Sequence, residues 1–425
     1  MDAKDPRQLA EAVEAPHARK GSWRVLFAYV FLVATSHVLW ISFASVTADA
    51  ATAYHTTELS IGLLISVGPI CSAIFSIPGG ALADRFGYRT PLLWAGAATA
   101  VFAFLRPMVS GLPMLLLLTV GLLIPQPFLI NAVADLVNRH FPDEEAATAT
   151  GLGTMAIFLG ITVGLIATPP LVSAFGVRGS QYVYAVLAVV VLVAFWAVAP
   201  RRVPDRLATS VELTVRQAIT RVLRSSAQWK LSAALFLGFG LYLGITTWLE
   251  EMLKPKGIDA TGAGLVAGMI TIAGMAGSVA LGALSDRVRR RKPFLIAAGL
   301  VAAPCLWLLG HLSSLPALLV TAAVFGFFML AALPVAIATA SEEPTMGPQV
   351  ASTAVGVMLM AGNLGGAALV AVMGVLKDAQ GSFAGGVVLT VVLALAVAAV
   401  AATVPEPLRG RSEGPPKPAD SQPAA

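Results

Sequence analysis

Two aspartates in this chain stand where a carboxylate can act as a latch. Asp84 lies in Gly80-Ala-Leu-Ala-Asp84-Arg85-Phe-Gly87-Tyr-Arg89, and Asp286 in Gly282-Ala-Leu-Ser-Asp286-Arg287-Val-Arg289-Arg290-Arg291, about half the chain later. Each segment closes one long apolar run and precedes another. A carboxylate at such a helix end can reach the positive N-terminus of another helix. For Asp84 the expected partner is a helix of the opposite half, near Gln349. Gly80 permits close backbone contact there, and Gly87 permits a tight turn. Such a contact holds one face of the molecule shut and breaks when the halves part. The plainer alternative is that Asp84 and Arg85 anchor a loop.

A second set of residues could hold a solute. Trp40 lies deep in the first apolar run, and an indole face there attracts a quaternary ammonium, by about 2 kcal/mol or more when desolvated. Gln126 and Asn363 are amides deep in the fourth and eleventh runs. His37, one turn before Trp40, is either a proton relay or a hydrogen-bonded structural histidine. Packing remains the alternative for Trp40, and bonding between helices for Asn363. Gln126 could instead satisfy backbone freed by Pro125 and Pro127. No Asp, Glu, Lys or Arg lies near the middle of any run, so the carboxylate that commonly marks proton coupling is missing. His37 and Asp49 are what remains for a proton-driven alternative.

The elements that must position these residues are membrane helices. Hydrophobic residues make up 57% of the 425 and charged residues 12%, with a mean hydropathy of +0.81. Twelve apolar runs reach spanning length, about 25–48, 59–83, 91–109, 112–136, 147–174, 179–199, 229–252, 260–285, 293–311, 314–340, 349–376 and 382–404. They do not alternate as barrel strands do. If both termini are cytoplasmic, every one of the 28 Lys and Arg lies on the cytoplasmic side except Arg106, Arg178, Lys254, Lys256 and Lys377. That positive-inside bias accounts for the net charge of +5 without nucleic acid. Cys71 and Cys305 read as small apolar packers. Gly160-x-x-x-Gly164, Gly264-x-x-x-Gly268, Gly274-x-x-Gly277 and Gly362-x-x-Gly365-Gly366 read as close-packing faces. Between runs six and seven, Thr209-x-x-Glu212 is a capping-box pattern. Val211, Val215, Ala218, Ile219, Val222 and Leu223 share one face after it, with Arg216, Arg221 and Arg224 off that face, as in an interfacial helix.

The Gly-x-x-x-Asp-Arg-x-Gly-x-Arg pattern resembles the signature loop of the major facilitator superfamily, here between runs two and three and again, with Arg289 in place of the later glycine, between runs eight and nine. The resemblance extends from about residue 24 to 404. It implies twelve helices in two pseudosymmetric six-helix bundles, with the solute between them. A nearer resemblance is to the feline leukaemia virus subgroup C receptor-like transporters. It rests on Trp40-Ile-Ser-Phe43, on Gln126-Pro-Phe128-Leu-Ile-Asn131 with Phe141-Pro-Asp143, and on Ala149-Thr-Gly151 through Gly160-Ile-Thr-Val-Gly164 to Pro169-Pro-Leu-Val172. Members of that family are reported to move haem, choline or ethanolamine. Their choline-contacting Trp and two Gln match Trp40, Gln126 and Asn363, the last one methylene shorter. A family Tyr matches Leu243, with Tyr242 beside it.

The expectation is therefore an all-α integral membrane protein: tails 1–23 and 405–425, bundles 24–199 and 229–404, and a linker 200–228. It is expected to act as a monomeric plasma- or inner-membrane transporter of a small organic solute, by alternating access, with no cofactor and no metal. Proton-coupled efflux in the same fold and a non-transporting receptor are the alternatives. No nucleotide loop or nucleophile–base set suggests an enzyme.

Overall fold

The computed structural model describes residues 22–200, 214–343, 346 and 348–406. The first half holds α1 (Trp23–Ile41), α2 (Thr47–Ala53), α3 (Glu58–Phe86), α4 (Arg89–Leu105), α5 (Leu112–Leu123), α6 (Gln126–Asn131), α7 (Val133–His140) and α8 (Ala146–Val198). The second holds α10 (Ser226–Leu253), α11 (Ala260–Val288), α12 (Lys292–His311), α13 (Leu315–Glu342), α14 (Ala351–Gln380) and α15 (Ala384–Thr403), preceded by the short α9 (Val215–Arg224). Among the described residues, eleven stretches are long and apolar enough to cross a membrane. One of them, α8, supplies two crossings. It is 53 residues long and breaks at Gly176, at φ 69° and ψ 174°. The hydroxyls of Thr168 and Tyr184, one on each limb, meet at 2.8 Å. A straight helix would hold them about 24 Å apart.

Lipid gives helices no hydrophobic drive to associate, so close approach falls to small residues. A Cβ at Gly160 would lie 2.2 Å from the Ala34 carbonyl oxygen of α1, and one at Gly365 1.9 Å from that of Phe236 in α10. Gly277 meets the Phe327 carbonyl of α13 at 1.9 Å in the same way. The Gly264-x-x-x-Gly268 face is different: nothing lies within 4 Å of a Cβ at either position, so it is not a close-packing face here.

Three local expectations change. The first span ends at Ile41 rather than at 48, and α2 follows as a separate turn. The hydroxyl of Ser42 donates to Leu39 O at 3.1 Å, a side-chain bond that competes with helix propagation. The fourth span is divided into α5, α6 and α7: at Pro125 because proline withholds the backbone donor a helix interior needs, and again at Ala132. The capping-box pattern Thr209–Glu212, with Val211, falls outside the described residues. A capping box is formed instead by Thr214 and Gln217, whose amide oxygen accepts the Thr214 N–H at 2.8 Å. Ala218 and Val222 are then the buried face of α9, with Arg216, Arg221 and Arg224 exposed.

Candidate gate and solute site

Asp84 ends α3 against the first turn of α14. Its Oδ1 accepts the Ser352 N–H at 2.9 Å, and its Oδ2 accepts the N–H of Thr353 at 2.7 Å and its hydroxyl at 2.5 Å. The helix begins at Ala351, so the carboxylate engages donors just beyond Gln349. These are free N–H groups of a helix start, where the helix dipole also favours a negative charge. Gly80 is what lets α3 come this near: a Cβ there would lie 2.0 Å from the Ser352 carbonyl oxygen. Reciprocally, a Cβ at Gly356 would lie 2.3 Å from the carbonyl oxygen of Ser76.

Asp286 does the same at the end of α11. It accepts the Ala147 N–H at 3.2 Å, the Thr148 N–H at 2.8 Å and the Thr148 hydroxyl at 2.7 Å, all in the first turn of α8. A Cβ at Gly282 would lie 2.7 Å from Ala147 O, and one at Gly151 2.3 Å from Ser278 O. Each half thus docks an aspartate on a helix start of the other half. The receiving starts repeat as well: Thr353-Ala-Val-Gly356 and Thr148-Ala-Thr-Gly151. That second repeat was the sequence signal for the partner of Asp286.

The arginines of the two loops diverge. Arg85 and Arg287 are exposed, and among the described residues neither forms an ion pair. Arg89 donates from Nε to Ala199 O at 3.2 Å, within its own half. Its counterpart Arg291 is fully buried and bonds Asp286 at 2.6 Å and Glu342 at 2.7 Å. It also reaches the Asp143 carbonyl of the other half at 3.4 Å. Burial alone would lower the Arg291 guanidinium; the bonds and charges of Glu342 and Asp286 outweigh it and raise it. Gly87 sits at φ 73° where α3 stops, and Arg289 takes φ 53° at the matching stop of α11. Both copies turn through a positive φ, but only Arg289, at ψ 40°, is left-handed helical; Gly87 lies at ψ 158°. In the second, Arg289 carries the side-chain strain of that conformation and bonds Glu144 across the seam at 2.8 Å.

Inside the bundle, the candidate solute residues fall into separate neighbourhoods. Trp40 is half-buried, and its indole N–H donates to Ile65 O of α3 at 2.8 Å. Its ring lies where a Cβ at Gly68 would be 2.4 Å from Nε1. His37 is edge-on to Trp40 at 6.0 Å and bonded through Nδ1 to Val33 O at 2.9 Å. A carbonyl only accepts, so Nδ1 carries the hydrogen. Gln126 starts α6 and is buried, yet its Nε2 has no acceptor among the described residues. It therefore does not satisfy a carbonyl freed by its flanking prolines. Asn363 donates to Leu359 O at 2.8 Å and to Ser72 Oγ at 3.4 Å, joining α14 to α3.

Tyr242 belongs to a narrow cavity of about 40 Å³ in the second half, closed on one side by Phe158 of α8. Its ring lies 5.9 Å from Phe158 and 5.8 Å from Phe239, and no charged side chain lines the space. The neighbouring Leu243 packs on α14 instead, 2.3 Å from a Cβ at Gly366. So the tyrosine, one position from the family match, is the residue that meets the cavity. Phe158 and Phe239 went unnoticed in the sequence because aromatic residues on apolar helices read as core.

A Major Facilitator Superfamily model matches residues 25–370 and, again, 251–423. The chain belongs to that superfamily. This transporter is 25% identical over 382 residues to solute carrier family 49 member A3 of Danio rerio, covering 85% of this chain and 80% of the relative. It is likewise 25% identical over 403 residues to an uncharacterised MFS-type transporter of Caenorhabditis elegans, covering 89% and 68%. Among solved structures it resembles FucP in the outward conformation, with a TM-score of 0.72, 14% identity and coverage of 90% and 99%. It also resembles the human organic anion transporter MFSD10, with a TM-score of 0.70, 15% identity and coverage of 91% and 100%. This superfamily member is thus a multi-pass membrane protein and a transporter, not an enzyme.

Proposed function

We propose that the chain moves a small organic amine, choline in the first instance, by alternating access as a uniporter. The observation that carries the mechanism is the contrast between the two ends of α3 and α11. At one end Gly80 and Gly282 are pressed on the opposite half and Asp84 and Asp286 hold it. At the other, a Cβ on Gly62 or Gly264 would meet nothing within 4 Å. In this reading the halves, 24–199 and 229–404, are joined by the linker 200–228 and closed at the loop-motif face. The basic bias makes that face cytoplasmic, with both termini, in a plasma or inner membrane. Rocking breaks both aspartate contacts and brings the two open glycine faces into use.

The substrate class rests on the uncharged, aromatic lining of the Tyr242 cavity and on the resemblance to the feline leukaemia virus subgroup C receptor-like branch. Trp40, held in orientation by its bond to Ile65, and Tyr242 with Phe158 and Phe239 lie in separate neighbourhoods, and a cationic head would lie on one of these ring faces at a time as the halves move. The unpartnered Gln126 Nε2 would donate to the hydroxyl, and Asn363 would supply the facing amide. The cavity holds about one water at its present size, so the solute enters as the halves separate. Proteoliposomes should take up choline down its gradient, and a thermal-shift screen should show choline raising the apparent stability. Neither effect from choline, with both from another solute, would replace the substrate and keep the mechanism.

A further inference from the structure

We propose that the end of the first half farthest from the Asp84 loop binds a small monovalent anion of the halide class, held by Arg106. Arg106 follows α4 and is 0% exposed. Its Nη2 donates to Ser42 Oγ at 3.2 Å and to Gln181 Oε1, both neutral. The guanidinium lies 4.6 Å over the Phe43 ring. Its Nε and Nη1 have no partner among the described residues. An arginine does not shed its proton at such a site, so its charge stays. A buried charge without a counter-ion is among the most unfavourable groups a fold can carry.

The surrounding groups share the same deficit. Gln181, 1% exposed, accepts from Arg106 through Oε1, which fixes its amide and leaves the Nε2 donor without an acceptor among the described residues. Tyr54, 0% exposed and 5.7 Å from Phe43, has an unpartnered hydroxyl. Arg178 lies 5.7 Å over the Tyr54 ring and donates to Ala53 O and Ser110 Oγ, again neutral. Among the described residues no carboxylate bonds either arginine. Guanidinium, amide and phenol all have hydrogens to donate, and two positive charges flank them. An acceptor carrying one negative charge answers both deficits. Close ring packing and full burial suit a monatomic ion better than a carboxylate or sulfate. The site lies within one half, away from the seam, so its ion is structural and not cargo.

The test is the melting temperature of the purified full chain in sodium chloride, bromide or gluconate at equal ionic strength. Chloride and bromide should raise it by several degrees over gluconate, rising with the logarithm of halide concentration. Equal melting in chloride and gluconate overturns the proposal. Arg106→Gln should abolish the halide response, and Tyr54→Phe, which removes one hydroxyl, should raise the half-saturating chloride concentration severalfold. A full response in Arg106→Gln, or an unchanged midpoint in Tyr54→Phe, places the halide elsewhere and overturns the assignment.

Discussion

Asp84 and Thr353, 269 positions apart in the chain, meet through two hydrogen bonds to a single carboxylate oxygen, from the Thr353 N–H at 2.7 Å and its hydroxyl at 2.5 Å. Asp286 takes the same pair from Thr148. Each bond to a charged acceptor is worth about 1.5–3 kcal/mol. A few of them are enough to set which face of a two-state transporter is closed, and few enough to be broken on each cycle.

The glycines under these contacts should be less tolerant than the aspartates. Gly80→Ala puts a methyl 2.0 Å from the Ser352 carbonyl, against 2.7 Å from Ala147 for Gly282→Ala. Both variants should insert and fold, since each half is intact. Transport should fall at least tenfold for Gly80→Ala and less for Gly282→Ala, measured as initial uptake rate in proteoliposomes. Equal, wild-type rates would mean that this face does not close as described.

The open ends give the opposite test. Gly264→Val adds bulk where nothing lies within 4 Å, so the closed loop-motif face should be undisturbed and melting unchanged within about 0.5 kcal/mol. Transport should nevertheless drop, because the alternate state needs that surface. Wild-type uptake by Gly264→Val and by Gly62→Val would show that these faces stay apart throughout the cycle.

Much of this was legible in the chain. The twelve runs, the repeated loop and the reach of Asp84 to a helix start of the other half follow from apolar length and from what a carboxylate does at a helix N-terminus. The partner of Asp286 was written in a repeat of Thr-x-x-Gly, four residues on apolar helices that look like ordinary packing. Arg291 read as one more basic loop residue. Its burial between Asp286 and Glu342 depends on where α13 ends, which no local pattern announces. Trp40, Gln126 and Asn363 shared a type of chemistry but not an address: bonds to Ile65, Leu359 and Ser72 are set by helix rotation, which hydropathy does not encode.

Site variants should separate aromatic recognition from packing. Trp40→Phe keeps a weaker ring face but loses the bond to Ile65, and Trp40→Ala loses both, so choline affinity should fall in that order. Gln126→Ala should cost about 1 kcal/mol of binding, because its free donor has no protein acceptor to lose. Tyr242→Phe keeps the ring that faces Phe158 and should be nearly silent, with Tyr242→Ala impaired. If Trp40→Ala and Tyr242→Ala both bind like the parent, the amine site is elsewhere.

If the proposed uniport holds, no proton moves with the solute. Choline uptake should follow its own gradient and be indifferent to an imposed pH gradient. Accumulation above equilibrium driven by acid outside would contradict uniport and make His37→Gln the next variant.

If the paired aspartate contacts close one face, removing them must lengthen the distance across it. Spin labels on Thr90→Cys and Arg290→Cys, both exposed and one in each half, report the distance across that face. The parent should give one short distance. Asp84→Asn with Asp286→Asn should add a longer population, more than tenfold enriched, in protein that still melts cooperatively. An identical short distance in parent and double variant would show that the aspartates do not close this face and leave both as loop anchors.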